Sequence, residues 1–237
     1  MPPRIVEVRR GLLKKNDLLA ADLRQRFADA GVCVVSLVSS PGTGKTAFLE
    51  ATLTALKPAY AVGALVGDLA TDRDAQRLGR SGARVHQIVT GTVCHLDAEM
   101  VGKALDGWDL PALDFLFIEN VGNLVCPASY DLGESLRVVL LSVTEGEDKP
   151  LKYPTIFNAA DLAVITKMDL AGAVGFDREE AHKNLRAICP RIDIVETSVK
   201  TGQGMEGWYD RLRALVAQRS GESGEAEAAG VEIHQAG

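Results

Sequence analysis

Apolar and polar positions are arranged in two ways along this chain. Between residues 11 and 30, Leu12, Leu13, Leu18, Leu19, Leu23 and Phe27 recur at helical spacing, which predicts an amphipathic helix ending at Gly31. An unbroken apolar run from Val32 to Val38 follows, then a glycine-rich turn, then a second helix through about Leu56. Further apolar runs fall at 60–66, 84–89, 114–118, 137–143, 161–165 and 192–195, mostly separated by helical or loop segments. Apolar strands alternating with helices predict an α/β fold, a mostly parallel sheet with helices on both faces. From Ser220 onward Gly, Glu, Ala and Ser dominate without an apolar stripe, so a disordered tail is expected over 219–237. The expected organisation is an N-terminal helix over 1–30 packed on the domain, a main domain over 31–218, and that tail. The Leu12, Leu13, Leu18 and Leu19 face is also a candidate docking surface for a partner, although such a stripe more often packs on its own domain.

Composition narrows the class. The chain has 237 residues and a net charge of −6, which argues against a general grip on nucleic acid. No apolar run is long enough to span a bilayer, and Met1-Pro2-Pro3-Arg4 does not resemble a secretory signal, so no membrane association is expected. Four cysteines without framework spacing fit a reducing, cytoplasmic setting.

The glycine-rich turn carries chemistry. Ser39-Ser40-Pro41-Gly42-Thr43-Gly44-Lys45-Thr46 lies between a buried strand and a helix. Its backbone N–H groups and the helix N-terminus can cradle phosphates. Gly44-Lys45-Thr46 fits the usual phosphate-loop pattern, with Ser39 at the position normally held by Gly. Pro41, Gly42, Thr43, Gly44, Lys45, Thr46 and Ala47 form the candidate triphosphate set. Lys45 would reach the β- and γ-phosphates, and Thr46 would place its hydroxyl on Mg²⁺. Asp114 to Glu119 reads as a strand ending in a carboxylate, followed by Asn120-Val121-Gly122. Glu119 is a candidate for Mg²⁺, and Gly122 can offer its N–H to the γ-phosphate. Asp68, after the strand Val62 to Val66, is a second Mg²⁺ candidate. Asp74, in Thr71-Asp72-Arg73-Asp74, is a candidate for positioning water, although a carboxylate capping a helix explains Asp72 or Asp74 equally well. The candidate catalytic set is Lys45, Asp74, Glu119 and Gly122.

Base choice is read from Thr166-Lys167-Met168-Asp169. Guanine presents N1–H and N2–H₂ side by side, and the Asp169 carboxylate can accept both. The Lys167 stem can pack over the base plane. GTPases normally carry Asn where this chain has Thr166, whose hydroxyl cannot reproduce the two-ended bonding of an amide. Ser198-Val199-Lys200 suits the loop closing over the base. GTP and GDP are the expected nucleotides.

A second constellation is Cys94-His95 at a strand-to-helix junction, with Cys126 downstream of Gly122. Cys and His ligate Zn²⁺ or Ni²⁺, not Mg²⁺. Taken alone, this signal leaves open a reading of the cysteines as small buried hydrophobes, the reading given to Cys33 and Cys189.

Several segments in order carry a family resemblance: 40–46, Gly67-Asp68, Thr71 to Ala75, Cys94-His95-Leu96-Asp97-Ala98, 119–127 and Lys152-Tyr153-Pro154-Thr155-Ile156-Phe157. Over roughly residues 10–218 the chain resembles the hydrogenase nickel-incorporation GTPases, the HypB family. The resemblance implies a P-loop fold of the signal-recognition-particle-like (SIMIBI) class and GTP-driven homodimerisation. It also implies a nickel or zinc site of Cys94, His95 and Cys126 at the dimer interface. Expected partners are a small zinc-containing nickel metallochaperone and the hydrogenase large subunit. Nucleotide state would gate metal release, because Cys126 lies four residues beyond Gly122.

Departures from the family pattern are also legible. Residues 1–30 contain no Cys or His, so the N-terminal metal motif or His-rich store of some relatives is absent from that stretch. Glu99 and Lys103 stand where some relatives have histidines. Rival readings are the urease nickel-delivery GTPase, a GTPase chaperone for a cobalamin enzyme, a kinase, and a GTP-dependent scaffold without metal delivery. The urease family typically has Cys-Pro-His and Glu-Ser-Gly-Gly, which Cys94-His95 and Glu119 to Gly122 do not match.

Overall fold

The computed structural model describes residues 4–68 and 73–233, with side-chain surroundings over 10–68 and 73–219. The apolar runs become seven strands: β1 (Cys33–Ser39), β2 (Val62–Asp68), β3 (Arg84–Val89), β4 (Phe115–Glu119), β5 (Leu136–Ser142), β6 (Leu162–Thr166) and β7 (Asp193–Glu196). They form one sheet in the order β3-β2-β4-β1-β5-β6-β7, and every pairing is parallel. The helices are α1 (Arg4–Asp29), α2 (Lys45–Leu56), α3 (Arg73–Gly79), α4 (Ala98–Ala104), α5 (Lys149–Lys152), α6 (Pro154–Asn158), α7 (Ala171–Val174), α8 (Arg178–Ile188) and α9 (Met205–Ile233).

Central strands are apolar throughout because both faces of the sheet are covered. Val138 and Leu140 of β5 pack with Phe48 and Leu53 of α2 and Trp208 of α9. Val139 and Leu141 face the other way, toward Phe157 of α6 and Leu185 of α8. On that second face, further along the sheet, Leu23 and Phe27 of α1 meet Val101 of α4, Val34 and Leu116. The polar edge of the buried Trp208 is satisfied, its Nε1–H donating to Thr52 Oγ1 at 2.9 Å.

Two expectations need refinement. The buried stripe of α1 is Asn16, Ala20, Leu23 and Phe27. Leu18 falls off that stripe and Leu12 lies a turn before its first member, and both are exposed, 62% and 55%. At the C-terminus the α9 backbone is helical to Ile233, where the sequence predicts a disordered tail from 219. Glu and Ala are strong helix formers, so a segment without an apolar stripe can still continue a helix. Residues 234–237 lie outside the described residues.

Register decides where the chemistry gathers. Glu119 is paired with Leu37 of β1 and with Val66 of β2, while Thr166 is paired with Ser142. Ser39, Asp68, Glu119, Ser142 and Thr166 therefore end their strands along the same, carboxyl edge of the sheet. The connection from β1 runs to β2 on one flank of β1, whereas the connection from β4 runs to β5 on its other flank, and ligands of open α/β sheets bind in the crevice outside such a switch point.

Candidate functional site

The turn from β1 into α2 follows its glycines. Gly42 has φ 77° and Gly44 has φ 98°, a backbone conformation that residues with a Cβ rarely adopt. Gly44 is the N-cap of α2 and brings no side chain to the first-turn N–H groups, leaving them for an anion. Above the turn lies a cleft of about 430 Å³ lined by residues 40–47, Asp68, Asp74, Arg77, Val121 and Gly122. Thr71 and Asp72 lie outside the described residues.

Within the cleft, the buried Glu119 carboxylate gathers two candidate residues. Its Oε1 accepts from Lys45 Nζ at 3.0 Å and from Thr46 Oγ1 at 2.7 Å. Its Oε2 is buried and has no hydrogen-bond partner among the described residues. An unpartnered carboxylate oxygen beside a hydroxyl is the hard-oxygen donor set that suits Mg²⁺. Gly122 approaches the phosphate loop so closely that a Cβ there would lie 3.1 Å from the Pro41 backbone.

At the other end of the loop, Lys167 follows β6 with φ 60°, and its Nζ returns to donate to Gly42 O at 2.6 Å. The left-handed conformation costs a non-glycine residue about 1–2 kcal/mol, which the cation's bond to the carbonyl offsets. The Thr166 hydroxyl donates to Thr43 O at 2.8 Å, so it ties the motif to the phosphate loop. Ser198 is buried and its hydroxyl donates to Asp169 Oδ1 at 2.6 Å, fixing that carboxylate. Val199 and Lys200 are exposed.

Several residues around the phosphate loop gave no signal in the sequence. Glu145 Oε2 accepts from Thr43 Oγ1 at 2.8 Å and from Ser142 N–H at 3.0 Å, and Lys149 lies 3.1 Å from Oε1. Burial opposes its ionisation, but the bonds from Ser142, Ser40, Thr43 and Lys149 hold its pKa below the usual carboxylate value. Arg77, lining the cleft, is held by Glu50 at 2.6 Å. Glu145→Gln is expected to lower stability at pH 7 by about 1 kcal/mol, as a charged acceptor becomes a neutral one. Because the folded pKa is depressed, that loss is present above the unfolded value of 4.5 and shrinks as pH falls through the folded value. Thermal unfolding of both proteins at pH 7 and at acid pH measures it; an equal difference at both pH values contradicts the assignment.

The second constellation assembles beside this cleft. Cys94, His95 and Cys126 bring one ligand atom each within 4.8 Å of one another. The two sulfurs are 3.0 Å apart without a disulfide. His95 Nδ1 is buried without a hydrogen-bond partner among the described residues, and burial pushes the imidazole pKa down, favouring the neutral, ligating form. The ring lies against Tyr130, centroids 3.9 Å apart and tilted by 31°. Two sulfurs and an unpartnered imidazole nitrogen suit a borderline or soft cation such as Ni²⁺ or Zn²⁺. Asn16 braces the site from α1: its Nδ2–H donates to Asp131 O, and its Oδ1 accepts from Ala98 N–H, each at 2.9 Å. Glu99 and Lys103 pair with each other at 2.8 Å, and Lys15 joins Glu99 at 2.6 Å. Of the other cysteines, Cys33 is buried in β1 and Cys189 packs against the cluster around α6 and α8.

The family described as CobW/HypB/UreG, nucleotide-binding domain, matches residues 33–196. The hydrogenase maturation factor HypB of Rhizobium leguminosarum bv. viciae is 47% identical over 217 residues, covering 92% of this chain and 73% of that protein. The chain belongs to the HypB family of hydrogenase maturation factors. HypB from Archaeoglobus fulgidus superposes with a TM-score of 0.80 at 42% identity, covering 86% of this chain and 99% of that one. A HypB structure from Helicobacter pylori, determined in complex with nickel, gives 0.81 at 41% identity, covering 86% and 96%. The signal recognition particle receptor FtsY of Elizabethkingia anophelis shares the fold alone, with a TM-score of 0.55 at 14% identity over 81% of this chain and 72% of that one. The architecture is that of the signal-recognition-particle-like P-loop class. Among the described residues, no helix is long and apolar enough to cross a membrane.

Proposed function

We propose that this chain is a GTP-hydrolysing nickel carrier for hydrogenase maturation, in which nucleotide state controls metal held by Cys94, His95 and Cys126. One observation carries the reading: the segment whose Gly122 abuts Pro41 of the phosphate loop continues four residues later into Cys126, one of the three clustered ligands. Triphosphate enters beside Pro41, so displacement of the 119–126 segment moves a metal ligand directly.

The loop N–H groups and Lys45 hold the phosphates, Lys45 exchanging its bond to Glu119 for the triphosphate oxygens. Thr46, Asp68 and Glu119 are the residues that would hold Mg²⁺, which neutralises phosphate charge when bound. Asp74 positions the attacking water, and the Gly122 N–H reads the γ-phosphate. Asp169, fixed by Ser198, selects guanine; Lys167 covers the base, and Val199 and Lys200 line the closing loop. Three metal ligands per chain leave a coordination position open for transfer. A GTP-state homodimer, a small zinc-containing nickel metallochaperone and a hydrogenase large subunit complete the proposed cycle, in the cytoplasm.

Nickel and zinc titrations of the apo, GDP and non-hydrolysable GTP-analogue forms, with mass measured in parallel, test this reading. It predicts that metal binding is lost in a Cys94→Ala, Cys126→Ala variant, and that nucleotide changes both affinity and mass in the wild type. Equal metal affinity in the two nucleotide states overturns the gating. Unchanged stoichiometry in the double variant favours a scaffold instead.

A further inference from the structure

Nucleotide state needs a physical link to the second half of the metal site. Cys126 shares a chain segment with Gly122, but Cys94 and His95 sit on a separate loop after β3. Two side chains join them. Asn120 is 1% exposed, and its backbone N–H donates to Leu37 O of β1 at 3.0 Å, anchoring it to the strand that feeds the phosphate loop. Its Oδ1 accepts from Val121 N–H at 2.9 Å and from Leu96 N–H at 3.0 Å, so one atom holds both segments. Asn123, next to Gly122, donates from Nδ2 to the Cys94 carbonyl at 3.2 Å, while its Oδ1 accepts from Val125 N–H at 2.8 Å.

We infer that Asn123 is a positioning residue whose bond to the Cys94 carbonyl transmits movement of Gly122 to the Cys94–His95 loop, with Asn120 as the fixed pivot. The inference rests on the nucleotide-gated metal reading above and deepens it. Asn120 is held from β1, which the core immobilises, whereas Asn123 lies one residue past the glycine that feels the phosphate loop. A shift of Gly122 toward or away from Pro41 carries Asn123 with it. The amide then pulls on one ligand loop while its own chain carries the other ligand. Both halves of the site move together instead of Cys126 alone.

Asn123→Asp isolates this bond: a carboxylate still accepts from Val125 N–H, but it has no donor for the Cys94 carbonyl. The ratio of Ni²⁺ affinities between the GDP and GTP-analogue forms is the readout, in the wild type, Asn123→Asp and Asn123→Ala. Coupling of ordinary size gives a wild-type ratio of about 5-fold or more. The expected result is that the ratio falls toward 1 in both variants while Ni²⁺ still binds and nucleotide affinity without metal stays unchanged. By reciprocity, the effect of Ni²⁺ on GTP-analogue affinity should then shrink by the same factor, leaving only what Cys126 carries directly, an independent measurement of the same coupling. A wild-type ratio retained in Asn123→Asp overturns the link. So does loss of Ni²⁺ binding in both nucleotide states, since the amide would then build the site without transmitting to it. A ratio of 1 in the wild type sinks the underlying gating, and the link with it.

Discussion

Lys45→Ala is expected to lower GTP affinity by about 100- to 10,000-fold. Two charge-assisted bonds to the β- and γ-phosphates at about 1.5–3 kcal/mol each give that range at about 1.4 kcal/mol per tenfold. The substitution also acts on the protein without nucleotide. Lys45 and Glu119 form a buried pair, 11% and 1% exposed, and removal of the cation leaves the carboxylate with Thr46 alone. A buried charge stripped of one partner costs about 1–3 kcal/mol, so the apo protein unfolds at lower temperature. Lys45→Ala with Glu119→Gln recovers stability but not GTP binding, because a neutral amide needs no cation. Calorimetric titration and thermal unfolding of the three proteins measure both effects. GTP affinity within about 3-fold of wild type in Lys45→Ala contradicts the phosphate role, given the size of a single charged bond.

Asp169→Asn is expected to exchange guanine for xanthine. In the proposed site the carboxylate accepts from guanine N1–H and N2–H₂, whereas xanthine carries an oxygen at C2. An asparagine accepts from N1–H and donates its amide to that oxygen. Sites built to hydrogen-bond one partner reject an analogue that leaves those groups unpaired, so GTP affinity is expected to fall by about 100-fold or more and XTP affinity to rise comparably. Ser198 Oγ, 2.6 Å from Asp169 Oδ1, can donate equally to the asparagine carbonyl, so the side chain keeps its orientation. Competition among GTP, XTP and ATP in the wild type and variant decides it. ATP competing as well as GTP in the wild type removes the guanine assignment.

Much of the fold was legible in the chain because its signals are local. Each apolar run became a strand displaced by no more than a few residues, since a strand covered on both faces must be apolar at consecutive positions. The turn glycines, Lys45 and Thr46 were legible for the same reason: one loop contains all of them. Cys94, His95 and Cys126 were legible as residue types, and the family resemblance supplied their grouping. Their approach within 4.8 Å is a tertiary fact.

What the sequence determined by itself was the class of fold, the family and the identity of the phosphate-loop and candidate ligand residues, all carried by residue types at short spacing. Which distant residues brace them depends on long-range packing. Glu145 reaches Thr43 across 102 positions and Ala98 bonds Asn16 across 82, because the sheet order puts β4 between β1 and β2 and sets β5 on the other flank of β1. Polar residues such as Asn16, Asn120 and Asn123 look like ordinary surface or turn residues in a one-dimensional pattern. Burial made Asn16 and Asn120 matter, and Asn123 is half-buried between two loops: where water is excluded each N–H and C=O needs a partner, and packing chose which element supplied it.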